Sequence, residues 1–125
     1  SYIGKQLSYI TQFCQQTNTH LFLVAHPRKI ESENGIYKIP NLYQISGSAD
    51  FFNKSFNGII CHRLIGRKTK YGSDVVKISF QKIKRKENGQ LGETEICPDF
   101  NSGGIYKPID EKEKTIEIHK DTVPF

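Results

Sequence analysis

The chain has no methionine. A sequence without an initiator residue, opening directly on a helix-like pattern, is expected to be an excised or processed piece of a longer protein. Further functional machinery is then expected upstream of Ser1. Cysteine is also scarce: Cys14, Cys61 and Cys97 lie far apart, and no CxxC spacing occurs. That argues against both a zinc site and a disulfide framework. The three thiols read instead as small buried hydrophobes of a cytosolic protein. No apolar run approaches the length of a membrane span and no signal peptide opens the chain, so no membrane partner is expected. Acidic residues are nearly missing from the middle. There Arg63, Arg67, Lys68, Lys70, Lys77, Lys82, Lys84, Arg85 and Lys86 are opposed only by Asp74.

What is present bounds the rest. At 125 residues and 14.3 kDa the chain is a single domain or part of one. A hydrophobic content of 36% supports only a modest core. The net charge of +5 favours an anionic partner, most often nucleic acid.

Ile3, Leu7, Ile10, Phe13 and Cys14 recur at helical spacing, which predicts an amphipathic helix over about 2–16. Thr17-Asn18-Thr19 ends it. The apolar run Leu21-Phe22-Leu23-Val24-Ala25 then stops at His26-Pro27-Arg28-Lys29. A run without alternation reads as a strand buried on both faces, as in a parallel sheet. Ligands of open α/β sheets sit beyond the carboxyl ends of such strands. His26 with Arg28 and Lys29 at that place suggests a phosphate-bearing ligand; alternatively His26 caps a strand and the cations are solvated.

A long loop is expected over 27–45, and loops of that length inside compact domains are commonly functional or disordered. A short helix follows, with Ser46 or Ser48 as N-cap and Phe51, Phe52 and Phe56 as core contacts. Residues 58–64 read as a second buried strand. Residues 65–73 read as a basic turn. An alternating strand is expected over 74–84, with Val76, Ile78 and Phe80 on one face. Asn88-Gly89 signals a hairpin. With those two residues as the turn, Lys84 falls opposite Glu93, Lys82 opposite Glu95 and Phe80 opposite Cys97. Arg85 and Lys86 are then the cations without a partner. A last short strand is expected over about 114–119.

Among other candidates, Gly4-Lys5 fails as a phosphate loop. Gln6 stands where a hydroxyl should bind magnesium, and no glycine stretch precedes it. His20, His62 and His119 are isolated.

Taken in order, several segments resemble the C-terminal part of the RecA-like motor domain in DnaB-type replicative helicases. They are Val24-Ala25-His26-Pro27-Arg28-Lys29, Tyr43-Gln44-Ile45-Ser46-Gly47-Ser48-Ala49-Asp50, Asn57-Gly58-Ile59-Ile60 and the hairpin ending Asn88-Gly89-Gln90-Leu91-Gly92. The nearest likeness is to the Twinkle and phage primase-helicase branch, over about residues 2–106. The resemblance implies an α/β fold: a partial RecA-like domain of a helix and buried strands, followed by an antiparallel hairpin region. It implies that His26 senses a γ-phosphate and that the loop, through Arg28, Lys29 and Lys38, contacts single-stranded DNA. It implies that a basic finger acts on the nucleoside triphosphate of a neighbouring subunit, with Lys84, Arg85 and Lys86 as candidates. Counting back from Gly89 gives Lys86 with Lys84, while the one arginine is Arg85. ATP and Mg2+ are the implied cofactors and a homo-oligomeric ring, a hexamer, the implied assembly. The family's phosphate-binding loop, magnesium-binding acid and catalytic glutamate lie N-terminal to the segment present here, so residues 1–125 alone are expected to be inactive. A bacterial or phage-encoded cytoplasmic protein is expected. The alternative is a self-contained basic β-rich nucleic-acid-binding module without ATP chemistry.

Overall fold

A computed structural model of the chain describes residues 2–28, 32, 38–45, 49–69 and 74–109, apart from the side chains of residues 67 and 68. Helix α1 spans Tyr2–Thr17, as its apolar spacing predicts. It ends because Asn18 turns left-handed at φ 52°, and the Thr19 N–H reaches back to the Cys14 carbonyl at 3.0 Å. That six-to-one bond is the Schellman closure, and Asn tolerates the left-handed turn that it needs. Helix α2, Asp50–Lys54, packs against α1. Its N-cap is Ala49, which makes no side-chain capping bond. The two serines expected to cap it lie outside the described residues.

Four strands form one antiparallel sheet in the order β1-β2-β3-β4. They are β1 Asn57–Lys68, β2 Asp74–Ile83, β3 Gly92–Asp99 and β4 Ile105–Pro108. The expectation of strands buried on both faces is corrected here. Residues 20–26 form no strand, and Leu21, Phe22, Leu23 and Val24 are 44–86% exposed. A strand requires a neighbour for its ladder bonds, and the described residues offer one only at the isolated bridge Pro27↔Ile45. Residues 58–64 do lie in a strand, but an antiparallel one: Ile59, Cys61 and Arg63 are exposed while Ile60, His62 and Leu64 are half-buried. One-sided burial is what antiparallel pairing gives. Cys61 is therefore not the buried thiol expected; Cys97 is, at 0% exposure.

Val76, Ile78 and Phe80 share a face, but the packed core is on the other one. There Leu64, Val75 and Cys97 line up across three strands, with Ile109 completing the cluster. A bulge over residues 65–67 is held by Asp74, whose carboxylate accepts from Gly66 N at 3.1 Å and pairs with Arg63 at 2.8 Å. The strand expected near 114–119 lies outside the described residues.

The β2–β3 connection differs from the two-residue turn that Asn88-Gly89 suggests. Phe80 stands opposite Gly92, not Cys97, and Lys77 opposite Glu95. The strands are joined by residues 84–91, which contain a 3-10 turn at Lys86–Asn88. Gly89 closes it at φ 149° and ψ −168°, a conformation essentially confined to glycine.

Candidate functional site

The two limbs of the loop meet at a closed neck. Pro27 bridges Ile45, and the Arg28 N–H donates to the Gln44 carbonyl at 2.6 Å. The descending limb is then built residue by residue. Asn41 caps the 3-10 turn Leu42–Gln44, accepting from Tyr43 N at 3.0 Å while its own N–H donates to Gln44 Oε1 at 2.8 Å. This reciprocal capping box satisfies two amides that would otherwise lack partners. Leu42 is buried against Gly58 of β1. Tyr43 stacks on Phe52 of α2 with ring centroids 4.2 Å apart.

Arg28 and Lys38 both carry exposed side chains, one on each limb. Lys29 lies outside the described residues. His26 is exposed just ahead of the neck, on a segment that forms no strand. The strand-end site expected for it is therefore not built by the described residues.

The three hairpin cations stand together where β2 runs into its loop. The Lys84 N–H donates to the Phe56 carbonyl at 2.9 Å, and its ammonium lies 4.3 Å from the centre of the Phe56 ring. Arg85, the extended N-cap of the 3-10 turn, and Lys86, its first residue, follow, both exposed. Among the described residues none of the three has a carboxylate partner. The expected pairs Lys84–Glu93 and Lys82–Glu95 do not form. Lys77 takes those acids instead, at 3.4 Å from Glu93 and 4.0 Å from Glu95. Lys82 donates to the Phe52 carbonyl at 2.5 Å and the Asn53 carbonyl at 3.3 Å, closing the last turn of α2, with its ammonium 5.0 Å from the Phe52 ring centre. Desolvation there, with help from the charge on Lys84, lowers the Lys82 pKa below the usual lysine value.

Lys84 also borders an open cleft between α1 and α2, about 380 Å³, shared with Thr11, Gln15, Lys54 and Phe56. The Thr11 hydroxyl donates to the Leu7 carbonyl, so it offers the cleft an acceptor rather than a donor. Gly4 and Lys5 lie within α1, which gives them no phosphate-loop geometry. Gln81, not singled out by the sequence reading, makes two bonds to the descending limb: its Oε1 accepts from Leu42 N at 3.0 Å, and its Nε2 donates to the Pro40 carbonyl at 3.1 Å. Together these contacts join loop root, α2 and the end of β2 into one connected surface, with cations at both ends.

Comparison with known proteins identifies one relative. The chain is 41% identical over 103 residues to the Twinkle homolog protein, chloroplastic/mitochondrial, of Arabidopsis thaliana. The relationship is to a Twinkle-like helicase. The match takes in 82% of this chain but only 14% of the relative's length, so the chain corresponds to a small part of its Twinkle-like relative. No protein-family model matches the chain, and no solved structure matches it. The Twinkle match also overturns the expectation of a bacterial or phage-encoded cytoplasmic protein, because the relative is a plant protein assigned to chloroplasts and mitochondria. That expectation rested on thiols without disulfide spacing and on segments concerned with phosphate and DNA contacts, neither of which fixes a compartment. Among the described residues no helix is long and apolar enough to cross a membrane. Among the described residues the sheet is open, with no pairing between β1 and β4.

Proposed function

We propose that the chain is the C-terminal part of a RecA-like motor in an ATP-dependent replicative DNA helicase or primase-helicase. The observation that carries this reading is the 41% identity to a Twinkle homolog along 103 residues. The closed loop would contact single-stranded DNA through Arg28, Lys29 and Lys38. The hairpin cations would act in trans on the γ-phosphate in a neighbouring subunit of a homo-oligomeric, hexameric ring. His26 would serve as phosphate sensor once the apolar run before it is seated in the larger domain.

ATP with Mg2+ supplies the transferable phosphoryl group. Among the described residues no set of three or more His, Cys, Asp or Glu side chains could hold a metal ion. The helicase resemblance puts the phosphate loop and the magnesium-binding acid N-terminal to this segment. This chain would supply the cationic part of the work: charge placed where the transition state develops it.

The test uses the full-length protein. Lys84→Ala, Arg85→Ala and Lys86→Ala are made singly, and steady-state ATP turnover and nucleotide binding are measured. Loss of the finger is expected to cut turnover by about 10³-fold or more while nucleotide binding falls much less. Mixing that variant with a phosphate-loop variant should restore activity if the group acts in trans. Normal turnover in all three variants would make the hairpin a structural strand pair and sink the reading.

A further inference from the structure

We propose that Gln81 is a positioning residue that couples the DNA-contacting loop to the basic hairpin. The inference rests on the helicase reading above and adds to it the regulation of the same site.

The sheet register makes Gln81 available for this. Ile59 pairs with Phe80 and Gly58 with Lys82, so β2 bulges and Gln81 has no partner across β1. Bulges re-aim a side chain that the ladder would otherwise hold in line. The Gln81 amide takes up the role of a strand neighbour, donating to the Pro40 carbonyl at 3.1 Å and accepting from the Leu42 amide at 3.0 Å. A primary amide carries both a donor and an acceptor, which is what an extended backbone segment requires. The two bonds span 41 and 39 residues of sequence, so they fix a distant segment rather than tidy a local turn.

What they fix is the root of the loop. Leu42, whose amide makes one of the two bonds, is 5% exposed and lies against Gly58. The next residue, Tyr43, stacks on Phe52, and Phe52 receives the ammonium of Lys82, the residue after Gln81. Lys84 lies two residues further on, at the start of the hairpin loop. A displacement of the loop root by bound DNA therefore bears directly on the backbone that presents the cations. Such a contiguous element can carry coupling between two sites, whose usual size is about 5–150-fold in affinity.

The experiment compares full-length wild type with Gln81→Met, which keeps the side-chain length but loses both bonds, and Gln81→Glu, which keeps the acceptor for Leu42 alone. Hydrogen exchange at the Leu42 amide, single-stranded DNA affinity, and turnover with and without DNA are measured. Gln81→Met is expected to expose the Leu42 amide to exchange and to lower the DNA-stimulated rate at least 5-fold. The DNA-independent rate should stay within twofold. Gln81→Glu should keep the amide protected and retain more of the stimulation. Equal loss of both rates would make Gln81 merely structural. A Leu42 amide still protected in Gln81→Met, or full stimulation with that amide exposed, would overturn the coupling and leave the helicase reading standing. A wild type that DNA does not stimulate would overturn the coupling; normal turnover in all three hairpin variants identifies the separate failure of the helicase reading.

Discussion

Gly58→Ala tests the seat of the loop root. Gly58 is buried in β1, and a Cβ there would fall on the Leu42 side chain, with Leu42 Cδ2 at 3.0 Å and Cγ at 3.2 Å and Cδ1 nearer still. Leu42 must shift, yet it is 5% exposed and fixed by the capping box and the Gln81 bond. Overpacking a filled site costs about 1–3 kcal/mol. Restricting the unfolded chain by Gly→Ala returns about 0.4–1 kcal/mol. The net loss is about 1–2 kcal/mol. With a urea slope of about 1.5 kcal/mol/M, the midpoint should fall by about 1 M at unchanged slope. Leu42→Ala alone should also destabilise. The double variant should recover part of the loss, because the new methyl enters space that Leu42 has left, with a coupling of about 1 kcal/mol or more. A Gly58→Ala midpoint equal to wild type, or strictly additive losses in the double variant, would refute this packing argument.

Two further outcomes follow from the sheet and its turn. Desolvation, then the charge of Lys77 opposite, lowers the His62 pKa below its ordinary 6.5. The unfolded chain therefore binds the proton more readily. Stability from neutral His62 should be complete above about pH 6.5 and fall as pH drops through the lowered value, and His62→Gln should flatten that slope in urea midpoints measured between pH 7 and 5. Gly89→Ala forces a side chain into φ 149°, ψ −168°, so a loss on the order of 1–3 kcal/mol is expected in thermal melts; an unchanged melting temperature would mean that the hairpin loop re-forms without it.

The parts of the fold legible in the sequence were those set by local physics. The 3.6-residue spacing gave α1, and Asn18 marked its end. Alternation gave β2 nearly to the residue. Apolar runs misled, because a run such as Leu21–Ala25 reports hydrophobicity without saying which neighbour covers it. The capping box Asn41–Gln44 was visible as an Asn followed three residues later by a Gln, a signal that could have located the loop root. Gln81 had no such sign. Its role depends on a bulge, and a bulge is settled by how two strands pair rather than by either strand's own residues. Asn88-Gly89 located the connection but not its length.

That last difference decides how the hairpin cations are presented. A two-residue turn would have set Lys84 against Glu93 and Lys82 against Glu95, neutralising the basic strand. The observed register moves the partner of Phe80 from Cys97 to Gly92, five residues, and an odd shift exchanges the faces. Lys77 meets the acids, and Lys82 and Lys84 lie over Phe52 and Phe56 instead. A ring attracts an exposed ammonium by only about 0.5–1 kcal/mol and adds no opposing charge. Lys84 thus meets no opposing charge among the described residues, while its backbone is tied to Phe56 and its head rests on the same residue. Arg85 and Lys86 begin a turn whose closing bonds, Asn88 N to the Arg85 carbonyl and Gly89 N to the Lys86 carbonyl, are local. Stabilising a transition state requires a charge held in place before the reaction, since reorganisation during it is costly. Lys84→Ala is therefore expected to lower turnover in the full-length protein more than Arg85→Ala or Lys86→Ala does. A larger loss at Arg85 would show that the hairpin tip reorders at the subunit interface and that the anchoring at Phe56 does not select the acting cation.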